Sequence, residues 1–150
     1  MKKYEFRLEA VLKLRRFKEE TCRTELGHLL MHLNKIDEQL IYEKKEIEKY
    51  DTIQEDALKT GMNGGQLQAF PMLVAAKERN MQLLNRDRVK QVQLVEEKKG
   101  ELATVRGELK MVENLKEKDF EAYKKALNKE IDQKVEEQTQ IWMNHRDKKA

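Results

Sequence analysis

A seven-residue repeat of apolar side chains restricts how this chain can fold more than any other feature of the sequence. The repeat begins near Leu8 and continues to Ala57. Positions a and d of the heptad are filled by Leu12, Glu19, Leu26, Leu33, Leu40, Ile47 and Gln54, and by Leu8, Arg15, Cys22, Leu29, Ile36, Glu43, Tyr50 and Ala57. A repeat that keeps this period over many turns is typical of a coiled-coil helix, because it places one apolar stripe along a single helix face.

The repeat stops at a cluster of helix-breaking residues at positions 60–65, which includes Gly61, Met62 and Gly64. Gly61 is suited to end a helix in the left-handed conformation. Pro71, the only proline, suits the first position of the next helix, where no amide donor is lost. A second apolar stripe follows, formed by Met81, Leu84, Val92, Val95, Leu102, Val105, Leu109, Val112, Leu115, Phe120, Tyr123, Leu127, Ile131, Val135 and Trp142.

The two stripes predict an all-α chain in which two long helices form an antiparallel coiled-coil hairpin. We place helix 1 at residues 4–59, the bend at residues 60–70 and helix 2 at residues 71–146, all in a single domain. The composition favours a narrow seam over a thick globular core, since 39% of the residues are charged and 6% are aromatic. A parallel dimer of two chains is the alternative arrangement.

Hairpin geometry leaves part of helix 2 without a partner in its own chain. A bend at residues 60–68 pairs position i of helix 1 with roughly position 126 − i of helix 2. Helix 2 is then longer by about 25 residues. The overhang, from Phe120 to Arg146, nevertheless keeps an apolar stripe. Because an exposed stripe invites association, we expect either a second copy or a different protein to bind it, and a frayed end is the remaining alternative.

The start of helix 1 combines positive charge with apolar side chains. Residues 2–18 contain seven basic residues against Glu5 and Glu9, interleaved with apolar side chains such as Phe6 and Val11. A basic amphipathic segment of this kind suits a partner whose surface is acidic and partly apolar.

No pattern of residues in the sequence indicates catalysis or a cofactor. His28 and His32 lie one helical turn apart, but no Glu follows His28 and the third histidine, His145, is distant. The glycine-rich bend lacks the Lys and Ser or Thr of a phosphate-binding loop. We therefore predict no enzymatic activity, no cofactor, no metal and no small-molecule substrate.

Charge and hydropathy restrict the remaining classes of function. Cys22 is the only cysteine, so an intrachain disulfide is impossible. No apolar run reaches the roughly 18 residues of a membrane span, and we expect a cytoplasmic protein. A net charge of +3 is too balanced for a dedicated nucleic-acid binder.

The opening residues 4–15, Tyr-Glu-Phe-Arg-Leu-Glu-Ala-Val-Leu-Lys-Leu-Arg, resemble the start of flagellar FliJ proteins, with the pattern F-R-L-x-x-V-L-x-L-R. The chain length, the glycine-containing break and the order of the helices agree with that family. The resemblance implies a component of the flagellar type III export apparatus, built like the gamma-subunit stalk of rotary ATPases. The equivalent proteins of virulence secretion systems share this architecture.

The resemblance also implies partners and a location at the flagellar base, peripheral to the inner membrane. Proteins of this family insert their terminal ends into a hexameric export ATPase, contact the cytoplasmic domain of the export gate protein, and escort export chaperones. The expected ATPase-ring contacts are Phe6, Leu8, Val11, Leu12, Arg15, Arg16, Phe120, Tyr123, Leu127, Ile131, Val135 and Trp142. The expected gate contacts are Gln39, Leu40, Tyr50, Phe70 and Leu73, whereas Glu43 and Glu46 stand where the family pattern has apolar or aromatic residues.

Two other functions fit the residues. A self-associating coiled-coil scaffold would pair the overhang with a second copy and form stable dimers without other partners. A binder of nucleic acid or of a membrane surface would use the basic residues 2–18, and its affinity would fall steeply with salt.

Overall fold

The structure is a computed structural model that describes residues 2–61 and 63–149, and within them it contains helices and no strand. The three helices are α1 (Glu9–Thr60), the short α2 (Gly64–Leu67) and α3 (Ala69–Lys148). They belong to two compact units. The terminal unit comprises residues 1–19 and 104–150, and the bend unit comprises residues 20–103. None of the helices in the described ranges has an apolar stretch of the length that a bilayer crossing requires.

In the bend unit, the heptad positions of α1 form the seam with α3, as predicted. Cys22 and Ile36 are buried on α1, and Val95 and Leu102 are buried on α3. Polar members of the heptad are buried as well, since Glu43 is only 5% exposed. The seam also contains Gln91, which the sequence stripe omitted. Its Nε2 donates a hydrogen bond to the carbonyl of Leu29 at 3.0 Å, which satisfies a polar group that would otherwise be costly to bury.

The bend is tighter than the sequence predicted. Gly61 has φ +82°, the left-handed conformation expected of a helix-ending glycine. Asn63 then caps α2, with its side chain accepting from the Gly65 amide. Pro71 lies in the first turn of α3, whose amides need no helical acceptor. Met62 lies outside the described residues.

The predicted pairing of residue i with roughly residue 126 − i can be compared with the ion pairs of the bend unit. Asp37 pairs with Arg88 at 2.6 Å, one residue from the predicted position 89. Glu25 pairs with Lys98 at 2.7 Å, three residues before the predicted position 101, and Glu43 pairs with Lys77 at 3.2 Å, six residues before position 83. The antiparallel arrangement is therefore confirmed, and the observed pairs lie within about two helical turns of the predicted register.

In the terminal unit, the first turns of α1 pack antiparallel on α3 around Leu12, which is completely buried. Interhelical ion pairs flank this contact, joining Arg15 to Glu108, and Glu19 to Arg106 at 3.3 Å. α1 begins at Glu9 and not at Tyr4. The all-α class, the antiparallel packing and the greater length of the second long helix (80 residues against 52) are confirmed.

Candidate partner-binding surfaces

An aromatic cluster holds the N-terminal segment against α3 in the terminal unit. The Tyr4 ring contacts the edge of Phe120, with ring centroids 4.9 Å apart and an interplanar angle of 67°, and lies 5.2 Å from Tyr123. Edge-to-face and tilted geometries of this kind are the favoured ones for aromatic rings. We call the three residues the aromatic clasp. Through these contacts the clasp holds the non-helical residues 2–6 against α3.

Hydrogen bonds from both tyrosines reinforce the clasp. Tyr4 Oη donates to Asp119 Oδ2 at 3.2 Å, and Tyr123 Oη donates to the backbone carbonyl of Lys2 at 2.9 Å. Partial desolvation, followed by the hydrogen bond to Asp119, raises the pKa of the Tyr4 hydroxyl above its ordinary value. Beside the clasp, Lys116 Nζ lies 3.0 Å from Glu9 Oε2, and this hydrogen bond lowers the pKa of Glu9.

The clasp corrects the predicted extent of the overhang. Phe120 and Tyr123 were expected to lack partners within the chain, but the non-helical segment before α1 reaches them. Phe6 takes part as well, since its half-buried ring lies 6.0 Å from Lys116 Nζ. The sequence missed these contacts because they depend on an extended segment that carries no helical periodicity. The unpartnered stripe begins beyond Leu127, which is still half-buried.

The last turns of α3 expose large apolar side chains. Ile131 is 45% exposed, Val135 55% and Trp142 60%. With about 3.6 residues per turn, these side chains continue the face that carries Phe120 and Leu127. Arg146 lies over the Trp142 ring, with Cζ 5.5 Å from its centroid. The predicted stripe is therefore solvent-facing along residues 131–142, and a partner could bind it without disturbing the seam.

Of the remaining residues that were expected to contact the ATPase ring, some are accessible and others are not. Leu8 and Val11 are each 37% exposed. Leu12 is completely buried and belongs to the core, so it is not available to a partner in this conformation. Arg15 is ion-paired with Glu108. Arg16 Nε lies 4.0 Å from Glu113 and remains largely exposed.

A second surface lies in the bend unit and is more polar. Gln39 Nε2 donates to Glu43 Oε1 at 3.3 Å, and the other oxygen of Glu43 lies 3.2 Å from Lys77 Nζ. Pairing with the Glu43 carboxylate raises the pKa of Lys77, whose ammonium also lies 5.6 Å from the centroid of the Tyr42 ring. A shallow groove of about 340 Å³ runs beside this network, lined by Gln39, Glu43, Asn80, Leu83, Leu84 and Asp87.

The expected gate residues differ in accessibility. Gln39 is exposed, and Leu73 is 44% exposed. Leu40, Tyr50 and Phe70 are half-buried. Gln39 and Leu40 share one stretch of α1 near the groove, whereas Phe70 and Leu73 occupy the first turns of α3.

Metal-binding geometry is not found in the described part of the chain. Residues 2–61 and 63–149 contain no group of three or more His, Cys, Asp or Glu side chains that could surround an ion. His28 and His32 are both exposed on α1. The two surfaces offer apolar side chains, aromatic rings and charged groups to a partner.

Comparison with known proteins identifies a family. Residues 3–148 match the family model described as Flagellar FliJ protein. Comparisons with curated proteins and with solved structures gave no match.

Proposed function

The chain belongs to the flagellar FliJ family, a non-catalytic component of the flagellar export apparatus, and from that premise we propose that it acts as a stalk for the hexameric export ATPase. In this proposal the terminal unit enters the ring and promotes its assembly and its ATP hydrolysis. The bend unit contacts the cytoplasmic domain of the export gate protein. The same protein also escorts export chaperones, and it works at the cytoplasmic face of the flagellar base.

The exposed end of α3 is the observation that carries this proposal. Ile131, Val135 and Trp142 form an exposed apolar face that, among the described residues, no other helix covers, and a contiguous exposed apolar face is characteristic of a binding surface. A ring that encloses the terminal unit would cover these side chains. The aromatic clasp supports the same role. It fixes the N-terminal segment against α3, so that the ATPase ring would meet a single ordered surface.

The gate proposal is supported by the composition of the bend unit. Leu73 and Gln39 are exposed, and Tyr50 and Phe70 are half-buried in the same unit. Tyrosine, phenylalanine and leucine with scattered polar groups are typical of transient protein interfaces. The buried Glu43 is held by Lys77 and so contributes little to the surface.

The test measures ATP hydrolysis and hexamer content of the cognate export ATPase with and without this protein. We expect the wild-type chain to raise both at substoichiometric amounts. A variant with Ile131→Ser, Val135→Ser and Trp142→Ser should lose the effect, because it removes the apolar face without touching the core.

A matched control keeps the result specific. Val89 and Leu94 are also exposed, at 61% and 47%, and lie in the bend unit. Val89→Ser with Leu94→Ser should stimulate the ATPase as the wild type does. If the variant at the end of α3 also stimulates normally, the ring contact lies elsewhere and the stalk proposal fails. Binding of the gate domain, measured by calorimetry, should be lost in Phe70→Ala with Leu73→Ala and retained in the α3 variant.

A further inference from the structure

A second apolar stripe lies on the outer face of α1 in the terminal unit, and the export function proposed above does not use it. Leu14 is 51% exposed and Phe17 is 66% exposed. At about 3.6 residues per turn, both side chains lie on the side of α1 opposite the buried Leu12. Ala10, one turn before Leu14, lies on the same face. We call Ala10, Leu14 and Phe17 the outer stripe.

Positive charge borders the outer stripe on both sides. Lys13 lies along one edge, and Lys18 lies along the other. Neither side chain forms an ion pair among the described residues, although the charge of Lys13 helps to lower the pKa of Glu9. In contrast, Arg15 and Arg16, which face α3, are paired with Glu108 and Glu113. Lys13 and Lys18 are therefore accessible to an acidic partner.

The exposed end of α3 has the complementary character. Asp132 borders Ile131 and Val135 on one side, and on the other side Glu130 and Glu137 lie beyond Lys134. Neither Asp132 nor Glu137 is ion-paired among the described residues. Residues 130–137 contain four acidic side chains, Glu130, Asp132, Glu136 and Glu137, against a single basic one, Lys134, and Lys134 lies 3.8 Å from Glu130.

We propose that two copies of this chain form a symmetric dimer in which the acid-bordered Ile131 and Val135 of one protomer pack on the base-bordered outer stripe of its partner. Both stripes repeat at about one helical turn, which lets their side chains interdigitate. A two-fold arrangement forms the contact twice, since each protomer offers both surfaces. Attraction between the acidic segment and the basic residues favours this pairing, and repulsion between like charges disfavours a contact between two acidic segments.

The dimer has a consequence for regulation, and this consequence alone rests on the proposed function. Ile131 and Val135 cannot meet a partner protomer and the ATPase ring together. Self-association therefore stores the protein in a form that does not bind the ring, and dissociation makes the stalk available.

Charge reversal tests the dimer directly, with light scattering and sedimentation of the full-length chain and no ATPase present. We expect the wild type to show a concentration-dependent monomer–dimer equilibrium. Lys13→Glu with Lys18→Glu, and separately Asp132→Lys with Glu137→Lys, should each raise the dimer dissociation constant at least about ten-fold. An equimolar mixture of the two variants should restore dimerisation, because both contacts are complementary only in the mixed dimer.

Several outcomes would overturn the dimer. One is a wild-type chain that stays monomeric at every concentration. Another is normal self-association of the Lys13→Glu, Lys18→Glu variant, which would place the contact between two α3 ends. Leu14→Ser with Phe17→Ser provides a charge-neutral check and should also weaken the dimer, with unchanged circular dichroism. A monomeric chain that sediments with phosphatidylserine vesicles through Leu14 and Phe17 would identify a lipid-binding face instead.

Discussion

The two units of this molecule hold their helices together in different ways. The terminal unit combines the fully buried Leu12 and the packing of Tyr4 against Phe120 with ion pairs at the edge of its seam. The bend unit has an apolar seam of its own and also buries charged and polar groups within it. There Glu43 is buried beside Lys77, and Gln91 reaches the Leu29 carbonyl. One repeat of seven residues therefore supports two kinds of interface.

This difference determines how each unit fixes the alignment of α1 and α3. Apolar contacts stabilise a helix pair but tolerate slippage along the stripe, whereas a buried polar group is satisfied in only one register. In the bend unit, the Glu43–Lys77 pair and the Gln91 hydrogen bond fix the alignment of α1 and α3 at a cost in stability. In the terminal unit, the aromatic clasp fixes the alignment through ring packing, and the surrounding surface is left for partners.

The largest expected effect comes from the apolar core of the terminal unit. Leu12→Ala should lower the free energy of unfolding by about 3 kcal/mol, because it removes a fully buried side chain and leaves a cavity. Urea unfolding followed by far-ultraviolet circular dichroism measures this, since Trp142 is exposed and would report poorly. Leu14→Ala is the matched control, and it should leave stability nearly unchanged because Leu14 points away from the seam. Equal losses in the two variants would contradict the assigned helix face.

The second prediction tests whether the polar seam specifies register at the expense of stability. Lys77→Leu alone should destabilise the bend unit, because the buried Glu43 carboxylate loses its cation. Lys77→Leu combined with Glu43→Leu should recover the wild-type midpoint of thermal unfolding or exceed it. Spin labels at exposed positions on α1 and α3 of the bend unit should then show a broader distance distribution in the double variant. A distribution as narrow as that of the wild type would show that the polar pair does not set the register.

A third and smaller effect is expected at the aromatic clasp. Tyr4→Ala should release the N-terminal segment, because it removes both ring contacts and the hydrogen bond to Asp119. Hydrogen exchange at the amides of residues 5–8 should increase, while exchange in the bend unit stays unchanged. Tyr4→Phe keeps the ring contacts but loses the hydrogen bond to Asp119. Its exchange rate should therefore lie between those of the wild type and of Tyr4→Ala. Unchanged exchange in Tyr4→Ala would mean that the segment is held by other contacts.

The sequence predicted most of the helical structure because the seam repeats. Leu12, Cys22 and Ile36 occupy heptad positions, and all three are buried. Gly61 was identified as the helix end because few residues adopt a positive φ without strain. Family membership was predicted from residues 4–15 and is confirmed by the match over residues 3–148.

The sequence could not predict features that depend on contacts without a period. The aromatic clasp joins residues more than a hundred positions apart, through a segment that is not helical. The individual ion pairs, such as Glu43 with Lys77, were not predicted because long charged side chains can reach partners a turn or more away along the opposite helix. Leu115 was assigned to the seam but is 51% exposed, since the stripe drifts around α3 over many turns. The expected ring and gate contacts remain predictions, because no partner is present to test them.

The smallest predicted effect concerns alkaline pH and again separates the two units. The pKa of Tyr4 in the folded chain is raised above the ordinary value of 10.0. A group whose folded pKa is raised contributes stability that is complete below the unfolded pKa and is lost as the pH rises through the folded pKa. Above about pH 10, ionised Tyr4 faces the Asp119 carboxylate, so the clasp should open while the bend unit keeps its seam. The protection factors of the amides of residues 5–8, which correct for the base-catalysed rise of intrinsic exchange, should therefore fall in this range for the wild type and remain flat for Tyr4→Phe, and an equal fall in both would assign the transition to another group.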